Sequence, residues 1–241
     1  MASTYSTDIQ LELVTTGEKA GLWGSITNTN LQILEQAATG YDSIDMAGAN
    51  VTLVLTDGAT SNGKNIYLRL YGTLAANRTL TMPVTAERVW IIKDETVRGT
   101  SNRTLDVLTA SSSNAVPVPP GATMLCRSDG TDTVGTLLQK GYATITDSNT
   151  PYTSVAGAQI FANTSSNPIT VNLPASPSVG DEVTIIDTRA SWASNNLTVG
   201  RNGQPINTAA SDLTLSNAGQ SITLVYIDAT RGWAYKTNYT S

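Results

Sequence analysis

Short runs in which apolar and polar residues alternate recur along most of the chain, and they predict β-strands. In the run Thr170–Leu173, for example, Val171 and Leu173 fall on one face while Thr170 and Asn172 fall on the other. The runs are rich in Thr, Val, Ile and Tyr, and Gly, Pro, Asn, Asp and Ser bound them, as is typical of strands and turns. Short strands separated by frequent turn signals favour a sandwich or a small barrel.

Five of these runs occur twice in the same order, which predicts a tandem duplication. The separation between matched runs lies between 91 residues (Pro83 to Pro174) and 98 residues (Gly121 to Gly219). Loop insertions between fixed strands produce such a drift. The matched runs are NIYL with QIFA, TLTMP with TVNLP, VWII with VTII, SNRTLDV with SNNLTV, and GATMLCRSDGT with GQSITLVYIDAT.

The alternation stops in the first part of the chain, where an apolar spacing of three and four residues predicts a helix over about residues 25–39. Ser25 is a plausible N-cap and Gly40 a stop signal. One seam of this helix has the spacing of a short coiled coil, which favours either an oligomeric bundle or packing on the chain's own next domain. The positions of this seam, which are our candidates for oligomerisation and attachment, are Trp23, Ile26, Asn30, Ile33 and Ala37.

These patterns predict an all-β protein of two tandem, similar β-sandwich or small-barrel domains, preceded by a short N-terminal helix segment. The N-terminal segment covers residues 1–45, the first β-domain 46–140, and the second β-domain, an internal repeat of the first, 141–241.

Composition narrows the functional classes. Only 14% of the 241 residues are charged, the net charge is −5 and histidine is absent. Scattered basic residues argue against nucleic acid as a partner. The missing histidine removes the commonest general base and the commonest transition-metal ligand. No apolar stretch is long enough to insert into a membrane, and we interpret the single cysteine, Cys126, as a buried thiol.

Two segments carry a resemblance to a known class of proteins. The segment AGLWGSITNTNLQILEQAATGY (Ala20–Tyr41) resembles the N-terminal part of tail-fibre and other virion structural proteins of tailed bacteriophages, especially those that infect marine cyanobacteria. Residues Pro151–Asp187, followed by NNLTVGRNGQPI, resemble a module of such fibres. The resemblance implies a homotrimer, assembled in the host cytoplasm, that resides in the virion, contacts other virion proteins and contributes to attachment or host adhesion. A capsid or neck decoration protein is the alternative within this class.

Candidate chemistry is sparse, so we expect no enzymatic activity, no cofactor and no metal site. Asp94–Glu95 and Asp181–Glu182 are carboxylate neighbours, but neighbours on a strand point to opposite faces, which disfavours the paired geometry of a polysaccharide depolymerase. Aromatic residues near the C-terminus favour either core packing or a glycan-binding patch that recognises host-surface sugars. The candidate glycan contacts are Tyr226, Trp233 and Tyr235.

Overall fold

The structure is a computed structural model, and it describes residues 3–84, 86–99, 102–112 and 114–240. The chain divides into two compact units. Unit 1 draws its described residues from the stretches 1–97, 104–118 and 123–138, and unit 2 from 98–103, 119–122 and 139–241. The helix segment therefore groups with unit 1, and two short segments before residue 140 group with unit 2.

The N-terminal segment contains a small hairpin and the one long helix. Strands β1 (Thr4–Tyr5) and β2 (Glu12–Leu13) pair antiparallel. Helix α1 spans Trp23–Thr39, so it begins two residues before the predicted start. Ser25 does not cap it, because its hydroxyl donates to the carbonyl of Leu22 inside the first turn. Gly40 ends the helix as predicted. A larger residue does not fit at this position, because its Cβ would collide with the Gln36 carbonyl oxygen.

Unit 1 contains two sheets that face a common apolar core. In the larger sheet the strands lie in the order β11-β10-β7-β5-β3, and in the smaller sheet in the order β4-β6-β8-β9. The strands are β3 (Tyr41–Asp45), β4 (Val51–Thr52), β5 (Tyr67–Thr73), β6 (Arg78–Met82), β7 (Glu87–Val97), β8 (Leu105–Thr109), β9 (Val116–Pro117), β10 (Thr123–Asp129) and β11 (Thr133–Gln139).

Unit 2 also contains two sheets, in the orders β12-β14-β16-β19-β20 and β13-β15-β17-β18. The strands are β12 (Ala143–Ile145), β13 (Tyr152–Thr153), β14 (Gln159–Ala162), β15 (Ile169–Asn172), β16 (Glu182–Asp187), β17 (Leu197–Gly200), β18 (Leu213–Leu215), β19 (Ser221–Asp228) and β20 (Gly232–Tyr239).

Each unit is a β-solenoid. The chain alternates between the two sheets, so one strand from each sheet makes a coil and the next coil stacks on it. Neighbours from successive coils are therefore parallel, as in β3-β5-β7 and β12-β14-β16. After the parallel strands, β10 pairs antiparallel with β7 and β19 pairs antiparallel with β16, and β11 and β20 lie at the outer edges of these sheets.

The all-β class is confirmed, but the prediction of two tandem sandwiches is wrong. Turn residues mark the corners of a solenoid coil as well as the turns of a hairpin, so their spacing does not reveal which strand pairs with which. In a sandwich built from hairpins, neighbouring strands in the chain would pair directly. Here β5 and β6, which are consecutive in the chain, belong to different sheets.

All five pairs of matched runs form strands, and the two members of each pair occupy the same place in the strand order of their unit. The pairs are β5 with β14, β6 with β15, β7 with β16, β8 with β17, and β10 with β19. The direction of pairing is also the same in both units wherever β3–β10 and β12–β19 meet their neighbours.

Each unit has its own core, made by the inward positions of its strands. Leu68, Leu80 and Trp90 are fully buried in unit 1. Ile160, Val171 and Leu197 are fully buried in unit 2. Alternation along each strand places these side chains inside the coil and polar ones outside.

Candidate functional site

The predicted helix seam is largely engaged within its own chain. The side-chain amide of Asn30 makes two hydrogen bonds to the backbone of Glu12 on β2. Its Oδ1 accepts from the Glu12 N–H at 3.0 Å, and its Nδ2 donates to the Glu12 carbonyl at 2.9 Å. Ile33 is fully buried. Ile26 and Ala37 are half-buried, and Trp23 alone is exposed. The buried Ile33 and the bonded Asn30 agree with the alternative that the helix packs on the chain's own unit, and a role of this seam between subunits stays a prediction.

A second apolar stripe runs along α1 and remains uncovered. It consists of Thr27, Leu31, Leu34 and Ala38, which are all exposed and follow one another by four, three and four residues. Leu31 is 57% exposed and Leu34 is 44% exposed. This is the spacing of a coiled-coil seam. The signal was present in the run NLQILEQ, but two apolar faces overlap there and the pattern alone does not separate them.

The predicted glycan patch near the C-terminus is wrong for two of its three residues. Trp233 is fully buried and Tyr226 is 7% exposed, and their rings meet edge to face at 5.6 Å. The Tyr226 hydroxyl donates to Gln204 Oε1 at 3.1 Å. Only Tyr235, which is 43% exposed, is available to a ligand. Inward alternation along β19 and β20 places the other two rings in the core.

Exposed aromatic residues lie instead on the outer face of the larger sheet of unit 1. Tyr41 on the edge strand β3 lies directly opposite Tyr67 on β5, and their rings stack at 5.6 Å with 19° between the planes. Tyr41 is 57% exposed. Its hydroxyl accepts a hydrogen bond from Ser43 Oγ at 3.0 Å.

Polar side chains lie beside this stack. Arg69 Nε donates to Glu95 Oε2 at 2.7 Å, and the Arg69 guanidinium lies 5.2 Å from the centre of the Tyr71 ring. The bond to Glu95 raises the pKa of Arg69 above its ordinary value. The guanidinium and the carboxylate thus form a compensated pair that stays partly open to solvent.

Unit 2 presents a second stacked pair, which lies on its own five-stranded sheet. Tyr142, which immediately precedes the edge strand β12 and is 60% exposed, stacks on Phe161 of β14 at 4.8 Å with 19° between the planes. The residue directly opposite Phe161 is Thr144, so this contact is diagonal. Sequence analysis missed both pairs because their members lie far apart in the chain and meet only when the coils stack.

An ion-pair group lies on the outer face of the same sheet in unit 2. Glu182 bonds to the ammonium of Lys236, and Lys140 Nζ lies 3.6 Å from its other carboxylate oxygen. The hydrogen bond from Lys236 is the main reason that the pKa of Glu182 is lowered from 4.5, and Lys140 adds to the effect.

The carboxylate neighbours do not form a hydrolytic pair. Asp94 is fully buried and accepts from the backbone and hydroxyl of Thr96, whereas Glu95 faces outward to Arg69. In unit 2, Asp187 accepts from the backbone N–H groups of Arg189, Trp192 and Gly219. Asp187 thus organises the segment that follows β16, whereas Asp94 bonds to a neighbour within β7.

Asp129 and Cys126 also have roles within the fold: Asp129 bonds to the backbone of a turn and Cys126 lies in the core. Asp129 Oδ1 accepts from the N–H groups of Thr131 and Asp132 at 3.0 and 2.8 Å, and these bonds lower its pKa. The Cys126 thiol is buried as predicted, and burial raises its pKa to about 12. Across the described ranges, no three or more Cys, Asp or Glu side chains are arranged to hold a metal ion. No helix within those ranges has the length and apolar character needed to span a membrane.

A buried lysine holds a loop of unit 1. Lys64 is fully buried, and its ammonium donates to the carbonyls of Thr56 and Ala59, both at 2.6 Å. Burial lowers its pKa. Nothing in the alternation pattern predicts a buried lysine in the turn SNGKN.

Comparison with solved structures finds distant likenesses, whereas comparison with families and curated proteins finds none. No family model and no curated protein matches the chain. A solved structure described as "Structure of a chaperone-substrate complex" aligns over 81% of this chain and 32% of its own, with 14% identity and a TM-score of 0.35. The chain thus spans about a third of that protein's length, and a similarity at this level carries no argument about function.

Proposed function

We propose that the chain is a non-enzymatic structural component of a bacteriophage virion, a tail fibre or fibre-like appendage that contributes to attachment or host adhesion. The observation that carries the proposal is the resemblance of Ala20–Tyr41 and Pro151–Asp187 to such proteins. The fold supports it, because each unit is a β-solenoid whose stacked coils present broad sheet faces.

The chemistry of the described residues is compatible with this role. The buried aspartates bond to backbone N–H groups, and the exposed Glu95 and Glu182 are held by cations. A depolymerase would need two carboxyl groups facing one substrate. We therefore assign these carboxylates to the stability of the fold.

Location on the particle is the decisive test. Antibody labelling or electron cryomicroscopy of intact particles should place the chain on the tail, with other virion proteins against its N-terminal segment. Density on the neck or the capsid would favour a decoration protein instead. Absence of the chain from purified particles would remove the proposal.

The proposal includes self-association, favoured as a trimer, and the exposed stripe of α1 is the surface that suits it. Heptad spacing lets Leu31 and Leu34 meet the same residues of another copy. Each leucine contributes about 1.5–3 kcal/mol when fully buried. Light scattering should give the mass of three chains at micromolar concentration.

The variant Leu31→Glu/Leu34→Glu should dissociate this assembly, weakening association by about 100-fold or more because two charges replace two buried apolar contacts. The matched control is Gln32→Glu, which adds a charge to an exposed position of the same helix away from the stripe. Circular dichroism checks that all three proteins are folded. A wild-type monomer, or an oligomer that survives the double substitution, contradicts this surface.

A further inference from the structure

We propose that each unit presents a shallow binding surface for neutral saccharides, on which the Tyr41–Tyr67 and Tyr142–Phe161 stacks carry the sugar rings. This inference goes beyond the structural role proposed above and does not depend on it. A sugar-binding surface of this kind would function on a virion or on any other assembly.

The first step of the argument is the exposure of the rings. Aromatic side chains bury a large apolar area when they enter a core, and the three buried tryptophans of the chain do so. Tyr41 and Tyr142 are 57% and 60% exposed although each stacks on a neighbour. A stack covers one face of a ring, so a flat apolar face with a polar hydroxyl at its edge is left to solvent.

The second step is the repetition of the arrangement. Tyr41 and Tyr142 each follow a glycine and each begin or precede the edge strand of the larger sheet. Tyr67 and Phe161 occupy the same position in the matched runs NIYL and QIFA. The contact is direct in unit 1 and diagonal in unit 2, so the register has changed while the exposed stack is present in both.

Stabilising an edge strand does not by itself require an exposed pair of stacked aromatic rings. An aliphatic pair across β3 and β5 would bury apolar area at the edge equally well without presenting flat exposed rings. Aromatic faces combined with a few oriented polar groups are instead the composition of small-ligand sites, and the apolar faces of sugar rings pack on aromatic rings.

The third step is the choice of ligand from the surrounding charges. In unit 1 the row beside the stack contains Ser43, Arg69 and Lys93, and the next contains Asp45 and Glu95. The Arg69–Glu95 bond compensates one charge with the other. In unit 2 the residues beside Phe161 include the uncharged Gln159 and Thr184. Glu182, two positions from Thr184 on β16, is paired with Lys236 and Lys140. Hydroxyl, amide and compensated charged groups suit the hydroxyls of a neutral sugar better than a polyanion.

The test uses hexamers of glucose, galactose and N-acetylglucosamine as neutral probes and a hexamer of galacturonic acid as an acidic probe. Saturation-transfer NMR on the full chain should show transfer to at least one neutral hexamer, and calorimetry should give two sites per chain. Transfer to none of the neutral hexamers, or to the acidic hexamer alone, would overturn the proposal.

Variants assign the sites. Tyr41→Leu and Tyr142→Leu should each halve the stoichiometry, and the double variant should bind at least about 10-fold more weakly, because the flat ring is lost while apolar volume is kept. Tyr41→Phe should retain binding. The control Tyr239→Leu changes an exposed tyrosine outside both stacks and should leave binding unchanged. A folded double variant that binds like the wild type contradicts the assignment.

A measurement on the wild-type chain keeps the test independent of folding defects. Nitration of exposed tyrosines, followed by mass spectrometry, should modify Tyr41, Tyr142 and Tyr239. The bound hexamer should protect the first two at least about threefold and leave Tyr239 unprotected. Equal nitration of all three with and without the hexamer would count against the site.

Discussion

The two units share the order of their strands but differ in the polar groups that they bury. In unit 1 the indole N–H of Trp90 donates to the Gly63 carbonyl at 3.0 Å, and Lys64 next to it is a buried cation. In unit 2 the indole N–H groups of Trp192 and Trp233 have no hydrogen-bond partner among the described residues. Unit 2 relies on Asp187, whose carboxylate gathers three backbone N–H groups.

The comparison teaches that a solenoid path tolerates different interior polar networks. The matched runs keep the alternation that places apolar residues inside the coil. Both units bury a carboxylate that accepts from backbone N–H groups, Asp94 in unit 1 and Asp187 in unit 2, but unit 1 also buries the ammonium of Lys64, which is bonded to two carbonyls. The bonds of Lys64 and Asp187 satisfy backbone groups at turns that the ladders leave unpaired.

The largest expected effect comes from Asp187→Ala. It leaves three backbone donors without their acceptor in a site that is 7% exposed, so we expect a loss of about 3 kcal/mol in the free energy of unfolding. Urea denaturation followed by tryptophan fluorescence measures it. The control is Asp228→Ala, which also removes an acceptor of two backbone N–H groups but at an exposed position where water replaces it. Equal losses in the two variants would show that burial of Asp187 is not what matters.

A smaller difference in stability is expected between variants of Trp90 and Trp233. Trp90→Phe removes both ring volume and the donor to Gly63, whereas Trp233→Phe removes similar volume and an N–H that has no partner. We expect Trp90→Phe to be the more destabilising by about 1 kcal/mol. Thermal and urea unfolding of the two single variants test this. The reverse order would mean that the unit 2 indole makes an interaction stronger than the bond to Gly63.

The smallest effect concerns pH. The ion pair lowers the folded-state pKa of Glu182 below its ordinary 4.5, so its contribution is fully present above the unfolded pKa and is lost as pH falls through the folded one. Glu182→Gln should therefore be less stable than the wild type at pH 7 by no more than about 1 kcal/mol, because the pair is partly exposed, and the difference should shrink as pH falls below 4.5. Lys236→Met should give the same convergence. A difference that persists at low pH would rule out the ion pair as its cause.

The sequence pattern correctly predicted the features that depend on a single strand or helix. It located strands at all five matched pairs, the helix and its stop at Gly40, and the buried thiol of Cys126. It did not predict the features that depend on which strand or helix packs against another. Hairpins and coils have the same turn residues, so sandwiches were predicted in place of solenoids, and the burial of Trp233 and Ile33 depends on which neighbour covers each face.

The two proposed binding surfaces could not be predicted for the same reason. Leu31 and Leu34 were within the analysed helix, but a neighbouring seam with the same spacing hid them. The Tyr41–Tyr67 and Tyr142–Phe161 stacks are contacts between successive coils. Only stacking of the coils brings such residues together, and local periodicity contains no record of it.

Coil-by-coil pairing has a consequence for biogenesis. Tyr41 pairs with Tyr67 and Tyr67 with Ile91, so each of these strands finds its partner in the turn of chain made just before it. A nascent polypeptide emerging from the ribosome can thus lay down β3, β5 and β7 in order, at low cost in loop closure, before its C-terminal half exists. Strand β10 then pairs antiparallel with β7 and covers the edge that β7 would otherwise leave unpaired.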